Sequence, residues 1–202
     1  MMSKTHFVVG LATSLAVIQP KSFNECMVAV IGGGVGGVLA DNDILDNDYL
    51  ADALIGQLLA LGTAAIAIVL DFYLDFGICQ AIINKPFLPI IGGISFTILY
   101  IIGFCSDHRT FTHSFLALIL YTFTSMLIHV PLAIPLATAY LSHLLLDILN
   151  KKKIPLLYPL DFGICLKMCY ANKTANKVFM YVGSAVSGFL LLIGIILSFT
   201  NT

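Results

Sequence analysis

The chain has 202 residues, 59% of them hydrophobic and 10% charged, with a formal net charge of −1. A soluble domain carries about a quarter charged residues, so a water-soluble globule is excluded, and the near-neutral balance offers no basic footprint for nucleic acid. Five cysteines without a C-x-x-C pair or disulfide-framework spacing exclude a disulfide scaffold and read as reduced, mostly buried small residues.

The apolar residues fall into blocks that predict an all-α fold: a polytopic transmembrane helical bundle in one domain, residues 1–202, with five long spans plus two short N-terminal membrane helices. The short blocks come first, 7–19 and 27–40, of 13 and 14 residues. Both are below the roughly 20 residues that cross the hydrocarbon of a bilayer, and they are either short spans or a re-entrant hairpin. Lys4 precedes the first block as in a signal peptide, but no A-x-A cleavage site follows Val17 and Ile18, so His6 stays in the protein. The second block contains Gly32-Gly33-Gly34-Val35-Gly36-Gly37. It matches G-x-G-x-x-G without the strand and βαβ unit of a dinucleotide site. Gly32 with Gly36, and Gly33 with Gly37, instead form small-xxx-small pairs that let helices approach closely in lipid.

Asp41-Asn42-Asp43-Ile44-Leu45-Asp46-Asn47-Asp48 closes the second block. Carboxylates this close repel one another unless a cation neutralises them. Asp46 and Asp52 stand where a Ca²⁺ loop needs Gly and Glu, which excludes an EF-hand. For Asp46, Asp48 and Asp52 a solvated acidic loop is the plainer reading.

The long blocks follow at 53–70, 87–105, 114–130, 132–149 and 178–199, each 17 to 22 residues. After the first, Asp71 and Asp75 lie at i,i+4 and either pair with Lys85, face water or mark an ion path. Before the third, Asp107-His108-Arg109-Thr110-Phe111-Thr112-His113-Ser114 holds the only arginine of the chain. Its guanidinium suits a phosphate or carboxylate ligand; the plainer reading is a solvated loop with a topology-setting charge. Thr112 reads as the cap of the next helix. Almost no loop separates 114–130 from 132–149, which predicts a tight antiparallel hairpin with Pro135 in the first turn of the returning arm. That hairpin brings His113 near His143 and Asp147. The latter two, at i,i+4, share one helical face and either bind a metal or bond each other. His129, at the far end of the hairpin, reads as locally bonded or exposed. Leu-Asp-Phe-Gly-Ile-Cys occurs at both 74–79 and 160–165 without any other kinase element.

Alternating the crossings places the N-terminus, 41–52, 106–113 and 150–177 on one side of the membrane. Eight of the ten Lys and Arg residues fall there, against Lys21 and Lys85 opposite, which predicts that this side is cytoplasmic. His6, Asp41, Asp43, His113, His143 and Asp147 all gather on it, near helix ends. Three imidazoles and three carboxylates are the donor mixture of a Zn²⁺ or Mn²⁺ hydrolytic site, mono- or dinuclear.

Taken in order, these pieces resemble the YdjM-like family, described as LexA-binding, inner-membrane-associated, metal-dependent hydrolases. The matching residues are Thr5-His6 with Gly10, the Gly-rich block into Ala40-Asp41-Asn42-Asp43, His108-Arg109 through Thr112-His113-Ser114, Tyr140-Leu141-Ser142-His143 through Asp147, and Leu156-Leu157-Tyr158-Pro159. Ala40, Thr110 and Phe111 depart from the family pattern without removing a donor. The family is more remotely similar to zinc-dependent phospholipases C and P1-type nucleases, which implies a phosphoester substrate. The resulting expectation is a membrane hydrolase, in the inner membrane with its site facing the cytoplasm. His6, Asp41, His113, His143 and Asp147 are its expected ligands for a divalent ion. Asp43 is a further ligand or the general base, and Arg109 holds the anionic group. Its expected partners are the bilayer and a phosphoester or lipid substrate, with no nucleic acid. Other classes remain open: a transporter using the cluster as a cation station, or a non-catalytic scaffold.

Overall fold

The structure is a computed structural model and describes residues 1–44, 47–85, 87–160, 162–170 and 173–200. Among these the α-helices are α1 (Ser3–Ile18), α2 (Phe23–Val38), α3 (Asn47–Leu74), α4 (Ile78–Ile83), α5 (Phe87–Phe104), α6 (Phe115–Ile128), α7 (Ala133–Ile148) and α8 (Thr174–Thr200). 3₁₀ turns at Leu39–Asp43, Phe111–His113 and Val130–Leu132 join several of them. Five of these segments are long and apolar enough to cross a membrane.

The membership of the long set differs from the sequence expectation at two places. Ser22 accepts the Glu25 N–H at 3.3 Å and starts α2 four residues before the expected block. With the 3₁₀ turn that follows, this span reaches Asp43 and has 21 residues. Conversely α6 has only 14 residues. Its cap is Ser114, which accepts the Ala117 N–H at 3.2 Å, and not Thr112. Its far end is set by Pro131, whose missing N–H and ring cannot continue a helix but suit the first turn of a new one. The tight α6–α7 hairpin forms as expected, with Pro135 in the first turn of α7.

The glycines of α2 organise the interior. On one face, an added Cβ at Gly37 would lie 2.6 Å from the His6 carbonyl oxygen, and one at Gly33 would lie 2.8 Å from the Ser14 Cβ, both on α1. On the next face, an added Cβ at Gly32 would lie 2.5 Å from the Pro135 Cβ, and one at Gly36 would strike the Leu136 carbonyl, both on α7. The helix is therefore in backbone contact with two neighbours at once, the geometry that small-xxx-small spacing permits. Around this trio, α8 packs on α1, α3 on α1 and α2, and α5 on α6. Burial follows the same order: 67% of the α2 span is buried, against 22% for α3 and α8 and 11% for α5. Leu58, Ile66, Phe72, Ile98 and Phe189 lie exposed on the outer helices, the surface expected to face lipid.

Acidic residues that looked free in sequence close helix ends. Asp52 accepts the Ser3 N–H at 2.5 Å and lies 3.4 Å from Lys4 Nζ, which caps α1 from α3. Asp71 accepts the Ile78 and Cys79 N–H groups at 2.9 and 2.6 Å and so caps α4 across a turn in which Gly77 has φ +91°. The second copy of that hexapeptide contributes Ile164, which exchanges backbone hydrogen bonds of 3.0 and 2.9 Å with Ile154; its Asp161 lies outside the described residues, as does Asp46. Ile154 and Leu156 are buried, and the Leu156 carbonyl accepts the Phe115 N–H at 2.9 Å, so this segment folds over the helix ends.

Gly37→Ala should lower the thermal midpoint in detergent by an amount corresponding to about 1–3 kcal/mol of overpacking. Gly62→Ala, in α3 with nothing within 4 Å of the added Cβ, should be neutral or stabilising. Equal melting of the two variants would refute the role given to backbone contact.

Candidate metal centre

Every one of the ligand positions expected from sequence meets at one end of the α1–α2–α7 trio. His6 comes from the first turns of α1, Asp41 from the 3₁₀ turn ending α2, His113 from the turn before α6, and His143 and Asp147 from the last turns of α7. All five are buried. The Gly37 contact explains the closest pair: with α1 and α7 drawn onto α2, the His6 and His143 rings stack at 3.7 Å between centroids.

Asp147 is the hub. His6 Nε2 lies 3.3 Å from its Oδ1, and His113 Nε2 3.4 Å and His143 Nε2 4.0 Å from its Oδ2. The terminal ammonium of Met1 also contacts its Oδ1, and Arg109 lies 3.5 Å from its Oδ2. Asp41 faces the same space from the other side, its Oδ1 3.6 Å from His143 Nε2. Two sets of three donors therefore overlap, His6/Asp41/His143 and His113/His143/Asp147, each with its donor atoms within 4.8 Å of one another.

Outer contacts set which ring nitrogen faces this centre. The Gly37 carbonyl lies 2.8 Å from His143 Nδ1. A carbonyl only accepts, so Nδ1 carries the proton and Nε2 offers a lone pair inward. His113 Nδ1 lies 3.0 Å from Thr112 Oγ1, which itself donates to Asp43 Oδ2 at 2.5 Å; the relay orients His113 in the same sense. Asp43 also accepts the Arg109 N–H at 2.9 Å and lies 2.8 Å from His108 Nδ1. Both its oxygens are engaged, and it stands behind His113 with no place in either donor set.

Inward, partners are lacking. His6 Nδ1 and Nε2, Asp41 Oδ2, His113 Nε2 and His143 Nε2 are buried without a hydrogen bond. Buried polar groups left without a hydrogen bond are costly, and here the residues that carry them come from four elements and belong to the two overlapping donor sets. Imidazole nitrogens and carboxylates in that arrangement fit a Zn²⁺ or Mn²⁺ ion. At His113, burial lowers the imidazole pKa, but the facing carboxylates Asp147 and Asp43 outweigh it and raise it to about 9.

Beside the centre a cavity of about 260 Å³ opens, lined by Asp41 and Arg109 together with Tyr49, Lys151, Lys152 and Tyr170. Arg109 has φ +66°, which turns its N–H onto Asp43 while its guanidinium reaches toward Asp147 and donates to the Lys152 carbonyl at 3.3 Å.

From sequence, His108 stands only within its motif and Thr112 reads as a cap, neither as a site residue, and no site role falls to the Gly37 carbonyl, Lys151 or Lys152. The left-handed turn at Arg109 brings His108 within 5.5 Å of the His113 ring, and no helical or strand spacing signals such a turn. His129, at the opposite end of the bundle, takes no part, as expected.

The family model of the YdjM inner membrane protein matches residues 1–201. The chain belongs to this family. The name describes an inner membrane protein, which accords with the apolar spans of this YdjM family member. Neither the curated proteins nor the solved structures contain a match to it.

Because a ligating imidazole must lose its proton, metal binding near neutrality should release the proton that His113 holds below about pH 9. Affinity for Zn²⁺ should therefore weaken as pH falls from 9 to 6. Calorimetry in buffers of different ionisation enthalpy reads the proton count; zero release at pH 7 would refute the ligand role of His113.

Proposed function

We propose that this YdjM family protein is a membrane-bound, metal-dependent hydrolase of phosphate esters, with its site at the cytoplasmic face. The carrying observation is the gathering of His6, His113 and His143, whose inner nitrogens are buried without a hydrogen bond, with Asp41 and Asp147 in two overlapping donor sets. A divalent ion held there, Zn²⁺ or Mn²⁺, supplies a Lewis acid and a water acidified toward neutrality.

The protein's own residues do the rest. His6, Asp41, His113, His143 and Asp147 are the ligands. Gly37 fixes the tautomer of His143, and Asp43 with Thr112 fixes that of His113. Asp43 is thus a positioning residue in this reading: four donors already surround its carboxylate, which leaves it poorly placed as a general base. Arg109 projects its guanidinium between Asp147 and the cavity, where a planar fork binds a phosphate bidentately. Lys151 and Lys152 on the same wall add positive potential that draws an anionic substrate in. The excess of Lys and Arg on this face supports a cytoplasmic orientation.

A transport path is disfavoured by one detail. Of Asp71 and Asp75, the acidic pair on the opposite face that kept it open, Asp71 has its carboxylate committed to capping α4.

With bis(p-nitrophenyl) phosphate as probe, His143→Ala and Asp147→Ala should abolish turnover and bound metal together. Arg109→Ala should keep the metal while raising KM at least tenfold. Undiminished hydrolysis by the chelator-stripped protein would sink the proposal.

A further inference from the structure

A second cavity, of about 400 Å³, lies in the apolar part of the bundle. Its walls are Val35 and Val38 of α2, Ala60 and Leu61 of α3, and Phe96 and Tyr100 of α5. It exists because α3 packs on α1 and α2 and α5 packs on α6, while α3 and α5 make little or no contact with each other. The gap between them faces outward: Leu61, on its wall, is 65% exposed. In a soluble protein such a cleft would meet water; here the solvent on that side is hydrocarbon.

The groove is joined to the metal centre through one turn of chain. Asp41 lines the cationic cavity, and the adjacent Asn42 lines the groove together with Leu39, all within Leu39–Asp43. Asn42 is 2% exposed, holds the Tyr100 carbonyl with its Nδ2 at 2.9 Å and leaves Oδ1 without a partner. On α3, Tyr49 belongs to the cavity and Gln57 to the groove. The helix rise between them is about 12 Å, a depth that spans the headgroup layer and the first methylenes of one leaflet.

We infer that the groove between α2, α3 and α5 holds one acyl chain of an anionic membrane lipid whose phosphate ester reaches the cavity beside Arg109, Lys151 and Lys152. This assignment rests on the hydrolase reading for its chemistry and names the substrate class. The apolar groove and the positively charged head end are separate cavities that flank the same Leu39–Asp43 turn and the same helix α3. The phosphoester is cleaved by water: the ester P–O bond breaks, a P–O bond to the water oxygen forms, and the water's proton leaves with the alcohol product.

The test uses the full chain in nanodiscs with a phosphatidic acid carrying a diazirine in its acyl chain. Adducts are expected on 57–61 of α3 and 96–100 of α5. They should fall at least tenfold in Ala60→Phe, which fills the groove, and in Leu61→Trp, an exposed position where folding tolerates the larger ring. Turnover of bis(p-nitrophenyl) phosphate should stay unchanged in both variants, since neither residue touches the metal centre. Adducts spread evenly over the outer faces of α3, α5 and α8 would overturn the acyl groove while soluble phosphoester turnover left the hydrolase reading standing. Adducts confined to the groove, with no turnover of phosphatidic acid or of the soluble probe, would overturn the hydrolase reading and the substrate assignment, leaving a bound structural lipid.

Discussion

The backbone contact of α2 with α1 and α7 is the constraint from which the rest of this molecule follows. Lipid gives helices no hydrophobic reason to associate, so association in a bilayer depends on close packing and interhelical polar contacts. Glycines on two adjacent faces of α2 supply the first, removing the side chains that would hold its neighbours away. The second then appears at one end: where α1 and α7 converge on Gly37, His6 and His143 are stacked, and the Gly37 carbonyl fixes the inner one. The outer helices α3, α5 and α8 add thickness and a lipid-facing surface around this inner trio.

Electrostatics sets the character of the convergence point. Asp41 and Asp147 are both buried, in a place where a lone carboxylate would be strongly disfavoured. Three imidazoles face them, and behind two of these, His113 and His143, stand acceptors that orient the rings. The arrangement is directional, with supporting groups outside and unpaired donor atoms inside. Arg109 is placed at the boundary, near enough to Asp147 to be held and far enough toward the cavity to meet an incoming anion.

Much of this was readable from the chain alone. Apolar block length gave the helices, and counting crossings placed His6, Asp41, Asp43, His113, His143 and Asp147 at a common end, where they are found. The glycine pairs were legible because small-xxx-small spacing has one physical use in lipid. Other features were not. Whether 27–40 or 114–130 was the longer element depended on the Ser22 and Ser114 caps and the stop at Pro131, which act on boundaries and leave hydropathy untouched. Asp52 and Asp71 looked like solvated acids because the N–H groups they cap belong to other helices or to a turn beyond. Asp43 read as a further ligand or the general base because it is crowded against Asp41; only the three-dimensional turn at Arg109 turns its oxygens toward Thr112, His108 and the loop backbone.

The most direct measurement of the central claim is X-ray absorption at the metal edge on the detergent-purified protein loaded with Zn²⁺. Ligation by the three histidines and two aspartates gives nitrogen and oxygen scatterers near 2.0–2.1 Å with the multiple-scattering pattern of imidazole, and no sulfur near 2.3 Å. It also requires that this signal vanish in His143→Ala and persist in His129→Ala. A cysteine-sulfur shell, or an unchanged imidazole signal after His143 is removed, would contradict it.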